Sequence, residues 1–313
     1  MLNETILHLL KEKGKISYPD GIHEDIVLYP NEPMKNHTTF HIGGNADCFC
    51  EVKSIPALKN ILSVCKENNI PCFIIGLGSN LLVSDDGFKG LVIKLSGYFT
   101  EMTINENTIT CGAGASLAGV CVAAKKHSLG GLEFAWGIPG SVGGATYMNA
   151  GAYGGEMKDV VSWVQFMDKD GNIHEYEKNQ LDFSYRHSVF TDTDNIILTV
   201  RFELKKDNPE LIGYRMQELM NKRKTKQPVN HYSAGSVFKR PDIKGCYAAA
   251  LIEECGLKGY SVGGAEVSKK HSGFIVNDHN ATAEDVRQLI DHIKKVVLEQ
   301  KGIELCCEIK FVE

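Results

Sequence analysis

Glycine is distributed unevenly along this chain, and that most limits how it can fold: the 31 glycines cluster at 76–78, 112–119, 130–155 and 256–264. Seven fall among the nineteen residues from Gly137 to Gly155, with two Gly-Gly pairs and small neighbours. A run so poor in Cβ atoms is a poor helix or strand. It lets the backbone turn tightly or come close to something else. Backbone amides that approach in this way form a nest for phosphate oxygens. A tight barrel corner would use the same composition, and composition alone leaves both open. Taken with a second loop, Gly76-Leu77-Gly78-Ser79-Asn80, the pattern reads as two loops gripping one diphosphate cofactor.

Around these loops the periodicity predicts regular elements. Ile55, Leu58, Ile61, Leu62 and Cys65 recur at helical spacing after Ser54, a capping residue with Pro56 in the first turn. Cys72–Ile75 and Leu91–Ile93 read as short strands on either side of the first glycine loop. Ser116 caps a helix to about His127, and Gly130-Gly131 stops it. Between Trp163 and Val200 strands dominate, with a hairpin turn at Asp170-Gly171. Further helices are expected over 208–226, 247–255 and 282–300, and strands over 273–276 and 303–311. The change from a strand-rich α+β part to a smaller mixed part near 205–209 predicts a boundary there.

At 313 residues the chain has room for two or three packed units, and no stretch approaches the apolar length of a membrane helix. With 34 basic and 39 acidic residues the net charge is −5. That balance gives no general attraction to nucleic acid or an anionic membrane, so neither a nucleic-acid partner nor membrane insertion is expected. An anionic substrate would need a local basic pocket, and the densest cluster of cations is Asn221-Lys222-Arg223-Lys224-Thr225-Lys226. The ten cysteines, including adjacent Cys306-Cys307, outline no compact disulfide framework. With an N-terminal helix in place of a signal peptide, they predict a reducing, cytoplasmic setting.

Several motifs fail on their context. Gly259-Tyr260-Ser261-Val262-Gly263 fits the nucleophile elbow of hydrolases, but that elbow needs a strand before it and a helix after it. Gly76-Leu77-Gly78 and Gly112-Ala113-Gly114 each lack the third glycine of a dinucleotide fingerprint. His37 and His41 with Cys48 and Cys50 match no zinc-finger spacing, and packing is the simpler reading.

Seven phrases, in order, carry a resemblance: Gly78-Ser79-Asn80-Leu81-Leu82; Gly131-Leu132-Glu133-Phe134 running into Gly137-Ile138-Pro139-Gly140; Asn149-Ala150-Gly151-Ala152-Tyr153-Gly154; Tyr185-Arg186-His187-Ser188; Ala234-Gly235-Ser236-Val237-Phe238; Gly263-Gly264-Ala265-Glu266; and Glu304-Leu305-Cys306-Cys307-Glu308. Over about residues 35 to 311 the chain resembles the UDP-N-acetylenolpyruvoylglucosamine reductase family, in its branch without an extra tyrosine loop. The resemblance implies an α+β fold. It has a vanillyl-alcohol-oxidase-type (PCMH-type) FAD-binding domain of two subdomains, at 1–95 and 96–206, and a smaller α+β substrate-binding domain at 207–313.

It further implies non-covalent FAD, NADPH as hydride donor, and UDP-N-acetylglucosamine enolpyruvate as the substrate reduced to UDP-N-acetylmuramate for peptidoglycan. Hydride passes from NADPH to flavin N5 and on to the terminal vinyl carbon, and charge builds beside the substrate carboxylate. Arg186 and Glu308 stabilise that charge, while Ser236 protonates the adjacent carbon. Cofactor contacts carry over to Gly76, Gly78, Ser79, Asn80 and Leu81, to Gly137, Ile138, Pro139, Gly140, Ser141, Gly143 and Gly144, and to Asn149, Ala150, Gly151 and Tyr153. Substrate contacts carry over to Tyr185, Arg186, Arg223 and Lys222. Two departures stand out: Cys306-Cys307 before Glu308, and Lys310 where the family usually has arginine, which loses a bidentate fork. A related flavin oxidase or an idle UDP-sugar-binding regulator would have no use for Ser236 and Glu308 together.

Overall fold

The structure is a computed structural model and describes residues 2–313. Packing divides the chain into two compact units, neither of them continuous. The first takes the chain up to Pro30, Cys48–Leu77 and Gly90–Asn221; the second takes Asn31–Asp47, Gly78–Lys89 and Lys222–Glu313. This grouping differs from the contiguous segments expected from sequence, because Phe40, Ile42 and Leu82 are buried in one apolar cluster with residues from 234 to 309.

The first unit is built on a five-stranded antiparallel sheet in the order Ile173–Glu177, Val161–Met167, Ile196–Glu203, Thr108–Gly112, Met102–Asn105. Leu198, Val200 and Phe202 alternate along the third of these strands and are fully buried, which sets its inner face. The expected hairpin at Asp170-Gly171 is present: the Asp168 carboxylate accepts from the Asp170 and Asn172 amides, and Gly171 takes φ +81°. Helix Ile55–Glu67 begins where Ser54 accepts from the Ala57 amide, and helix Leu117–Lys126 where Ser116 accepts from Gly119. The strand Cys72–Ile75 pairs in parallel with Leu91–Lys94 of the strand Phe88–Leu95 and delivers the chain to the first glycine loop.

The second unit is organised by helix Ala283–Lys301, whose buried Val286, Leu289, Ile290, Ile293 and Val297 form one stripe. Thr282 and Asp285 make a capping box, Asp85 accepts from the Ala283 and Glu284 amides, and Gly302 ends the helix at φ +66°. Beside it lies a three-stranded antiparallel sheet, Ser261–Val262, Ala265–Val267 and Ile275–Asn277. The Gly259–Gly263 segment is thus part of a hairpin turning at Gly263-Gly264, not a strand-to-helix elbow. The expected strand over 303–311 is shorter than its apolar pattern implies. Only Lys310–Val312 is a strand, parallel to Leu81–Val83, while Cys307 makes a single bridge to Phe238. Residues 306–308 hydrogen-bond an irregular partner segment, so no ladder propagates through them.

Candidate active site

In the first unit the two glycine-rich loops meet. A Cβ on Gly76 would collide with the Ser141 hydroxyl, and one on Gly143 with Ala113. Ser141 is buried and accepts from the Gly144 amide at the start of the short helix Val142–Tyr147, which packs on the strand Ile196–Glu203. Pro139, Gly144 and Leu77 are exposed, while Gly137, Ile138 and Gly140 are half-buried. The amides of Val142, Gly143 and Gly144 already donate, to the Ala115 and Ala113 carbonyls and the Ser141 hydroxyl, so these residues shape the turn, and any anion contact falls to the rest of the two loops; no acidic residue occurs in 76–81 or 137–144.

Past this helix, Asn149 is almost completely buried and at φ +43°. Its amide donates to Glu156 Oε2 at 2.9 Å and to the Ser184 carbonyl at 2.8 Å, and its Oδ1 accepts from the Lys158 amide at 2.9 Å. Asn149 therefore pins two neighbouring turns. One is the hairpin Gly151–Ala152 with Gly155–Glu156, whose tip Tyr153-Gly154 has both φ angles positive, +54° and +88°. That is a type I′ turn with a tyrosine where asparagine is usual. The other joins Ser184 to His187, with Tyr185 and Arg186 at its tip. Arg186 takes φ +54°, a conformation that costs a non-glycine residue about 1–3 kcal/mol and collects at functional sites. Its guanidinium lies 5.2 Å from the centre of the Tyr185 ring. Partial burial works to raise the Glu156 carboxyl, but hydrogen bonds from Lys158 and Asn149 and the charges of Lys158 and Arg186 hold it below its ordinary value.

In the second unit Gly78 takes φ +61°, with no room for a side chain against the backbone of His37 and Thr38. The loop it starts runs beside Gly235, Glu308 and Lys310 of the same unit. The Cβ position of Gly235 is 4.0 Å from the Ser79 carbonyl, and Asn80 Nδ2 donates to the Glu308 carbonyl at 3.0 Å. The Asn80 carbonyl accepts from the Lys310 amide at 2.9 Å, and Leu81 opens the strand paired with Lys310. Ser236 is half-buried, bridged to Phe274, and its hydroxyl donates to the Phe238 carbonyl at 3.2 Å. Glu308, also half-buried, donates its amide to the Val237 carbonyl at 2.7 Å. Ser236 and Glu308 thus lie on adjoining segments, with the glycine loop beside both. Arg223 is half-buried and Lys222 exposed in the last turns of helix Pro209–Lys226.

The sequence places no site residue before Gly76, yet the segment around Thr39 supports the site: Thr39 donates its hydroxyl to the Ser233 carbonyl at 2.7 Å, and Ser233 donates its amide back at 3.2 Å. His41, at φ +55°, stacks on Tyr232 at 3.8 Å. A polar threonine in an unpatterned stretch carries no local sign of such a partner.

Residues 46–177 match a family described as an FAD binding domain, and residues 227–312 match the UDP-N-acetylenolpyruvoylglucosamine reductase C-terminal domain. A UDP-N-acetylenolpyruvoylglucosamine reductase of Caldanaerobacter subterraneus is 50% identical over 285 residues, 91% of this chain and 93% of that protein. The chain belongs to the UDP-N-acetylenolpyruvoylglucosamine reductase family. A reductase of that name from Syntrophomonas wolfei is 47% identical over 282 residues, covering 90% of this chain and 94% of its own. The crystal structure of the reductase from Thermus caldophilus superposes with a TM-score of 0.79 at 36% identity, over 92% of this chain and 99% of that one. The expected fold class holds: an α+β FAD-binding part with a smaller C-terminal domain. The chain is an FAD-dependent oxidoreductase of a family that reduces enolpyruvyl-UDP-N-acetylglucosamine in peptidoglycan synthesis.

Proposed function

We propose that this reductase uses Ser236, Glu308 and Arg186 to turn UDP-N-acetylglucosamine enolpyruvate into UDP-N-acetylmuramate, with NADPH as the donor, in the cytoplasm. The observation that carries the reading is the meeting of the Gly78–Asn80 loop, Ser236 and Glu308 in one compact unit, although Asn80 and Glu308 are 228 residues apart in the chain.

Bound FAD would supply the redox chemistry, hydride transfer between NADPH and the enolpyruvyl double bond. It would be held non-covalently by backbone groups of Gly76, Gly78, Ser79, Asn80 and Leu81 and of Gly137, Ile138, Pro139, Gly140 and Ser141, with Gly143 and Gly144, whose amides bond Ala113 and Ser141, letting the backbone turn closely there, and Ala150, Gly151 and Tyr153 further along the cofactor. Asn149, whose amide is spent on Glu156 and Ser184, serves by fixing those turns. Arg186, presented on its strained tip, neutralises charge that develops beside the substrate carboxylate, and Glu308 shares a proton with that charge. Ser236 donates its hydroxyl proton to the neighbouring carbon; its long bond to Phe238 is easily given up. Arg223 and Lys222 meet the diphosphate of the substrate, a local cation pair on a chain of net charge −5. By role, residues 1–95 and 96–206 form the two cofactor subdomains, the second also bringing Tyr185 and Arg186 to the substrate, and 207–313 serve the substrate. Ten cysteines with no disulfide among the described residues suit a reducing cytoplasm.

The purified protein should be yellow, release FAD on acid or heat treatment, bleach with NADPH and regain its colour with UDP-N-acetylglucosamine enolpyruvate. The product should carry two more hydrogens by mass. A colourless protein that FAD cannot reconstitute refutes the reading.

A further inference from the structure

Asn80 sits on the loop expected to meet the cofactor, yet its side chain is turned to another use. Its amide donates to the backbone carbonyl of Glu308, while its own carbonyl accepts from Lys310. Glu308 is therefore held at both of its main-chain polar groups, since its N–H donates to Val237, the residue after Ser236. A residue tied at N–H and C=O has its Cα–Cβ direction set, and the carboxylate is aimed from that bond. The two ties run to different places, one to the glycine loop and one to the segment that carries the serine.

We propose that Asn80 is a positioning residue for the reduction: its amide aims Glu308 and keeps the glycine loop, Glu308 and the Ser236 segment in one register. The inference rests on the role given to Glu308 above. Removing the amide deletes no atom of Glu308 or Ser236, so the expected defect is misplacement of a group that is still present.

The parent, Asn80→Ala, Glu308→Gln and the double variant are compared as holoproteins by anaerobic stopped flow, with FAD content and hydrogen exchange over 303–312 measured alongside. Asn80→Ala should retain FAD and exchange faster over 303–312. Its colour should recover with UDP-N-acetylglucosamine enolpyruvate about 10- to 100-fold more slowly, the scale on which small misplacements act, while bleaching by NADPH changes far less. In the Glu308→Gln background the same substitution should add little, because residues that act through one another are not additive. Asn80→Asp keeps the shape but faces the carbonyl with a carboxylate oxygen, and should show the same split. Parental recovery in Asn80→Ala, or full multiplicative slowing in the double variant, overturns the proposal. So does loss of FAD in both Asn80 variants that added FAD cannot reverse, which would make the side chain a cofactor ligand. Parental recovery in Glu308→Gln removes the role of Glu308, and the proposal with it, even where hydrogen exchange reveals an intact tie.

Discussion

Replacing Ser236 by alanine should separate chemistry from stability. Among the described residues the hydroxyl makes one hydrogen bond, to the carbonyl two residues on at 3.2 Å, near the long end for such bonds. Its removal should cost the fold about 0.5–1.5 kcal/mol, the net worth of an ordinary hydrogen bond, and toward the lower figure at that length. The segment itself stays in place through backbone bonds, Val237 N–H to Gly273 and Glu308 N–H to Val237. A positioned acid is worth about 10²–10⁴ in rate, or roughly 2.7–5.4 kcal/mol of barrier, so the kinetic loss should exceed the stability loss severalfold. The assay is anaerobic stopped flow on the flavin absorbance, one half of the cycle at a time, with urea unfolding on the same preparations. Bleaching by NADPH needs no proton from serine and should run at close to the parental rate. Recovery of colour with UDP-N-acetylglucosamine enolpyruvate should slow by the full factor. A Ser236→Ala enzyme that recovers at the parental rate would falsify the assignment, and slow bleaching with normal recovery would put Ser236 in nicotinamide binding.

Arg223→Ala should weaken binding of the UDP substrate by roughly 1–3 kcal/mol, the range for a charge-assisted hydrogen bond; unchanged affinity by calorimetry at low salt removes Arg223 from the site. Gly78→Ala forces a side chain into φ +61° against the His37 backbone and should cost on the order of 2–4 kcal/mol, lowering both Tm and FAD content. A parental Tm would show that the loop is not tightly constrained. Burial holds the His271 imidazole below its ordinary value of 6.5, so the folded state binds fewer protons than the unfolded chain. The stability it protects is complete above pH 6.5 and is lost as pH falls below that toward the folded-state value. His271→Gln should flatten the pH dependence of the urea midpoint across this window, and an unchanged slope would refute it.

Much of this protein is written in local sequence. The caps at Ser54, Ser116 and Thr282 act within three residues of the donors they satisfy, so the helices they start can be read without any tertiary knowledge. The Asp170-Gly171 hairpin is equally local, since Asp168 bonds amides two and four residues away. Motif order carried the family, because each phrase keeps its own residues wherever it lands in space. Strand extent and register were beyond that reach. Residues 303–309 have an apolar pattern that suits a strand, but a ladder needs a partner, and the fold supplies one only for Lys310–Val312. The discontinuous units follow from the same cause: Phe40, Ile42 and Leu82 join the core around helix Ala283–Lys301 through burial, which is blind to distance along the chain. Asn80 could be found in a cofactor motif by sequence, whereas its bond to the Glu308 carbonyl exists only because folding brings the two backbones within hydrogen-bonding distance. Local sequence chose the side chains of the site; long-range packing decided which backbone each of them holds.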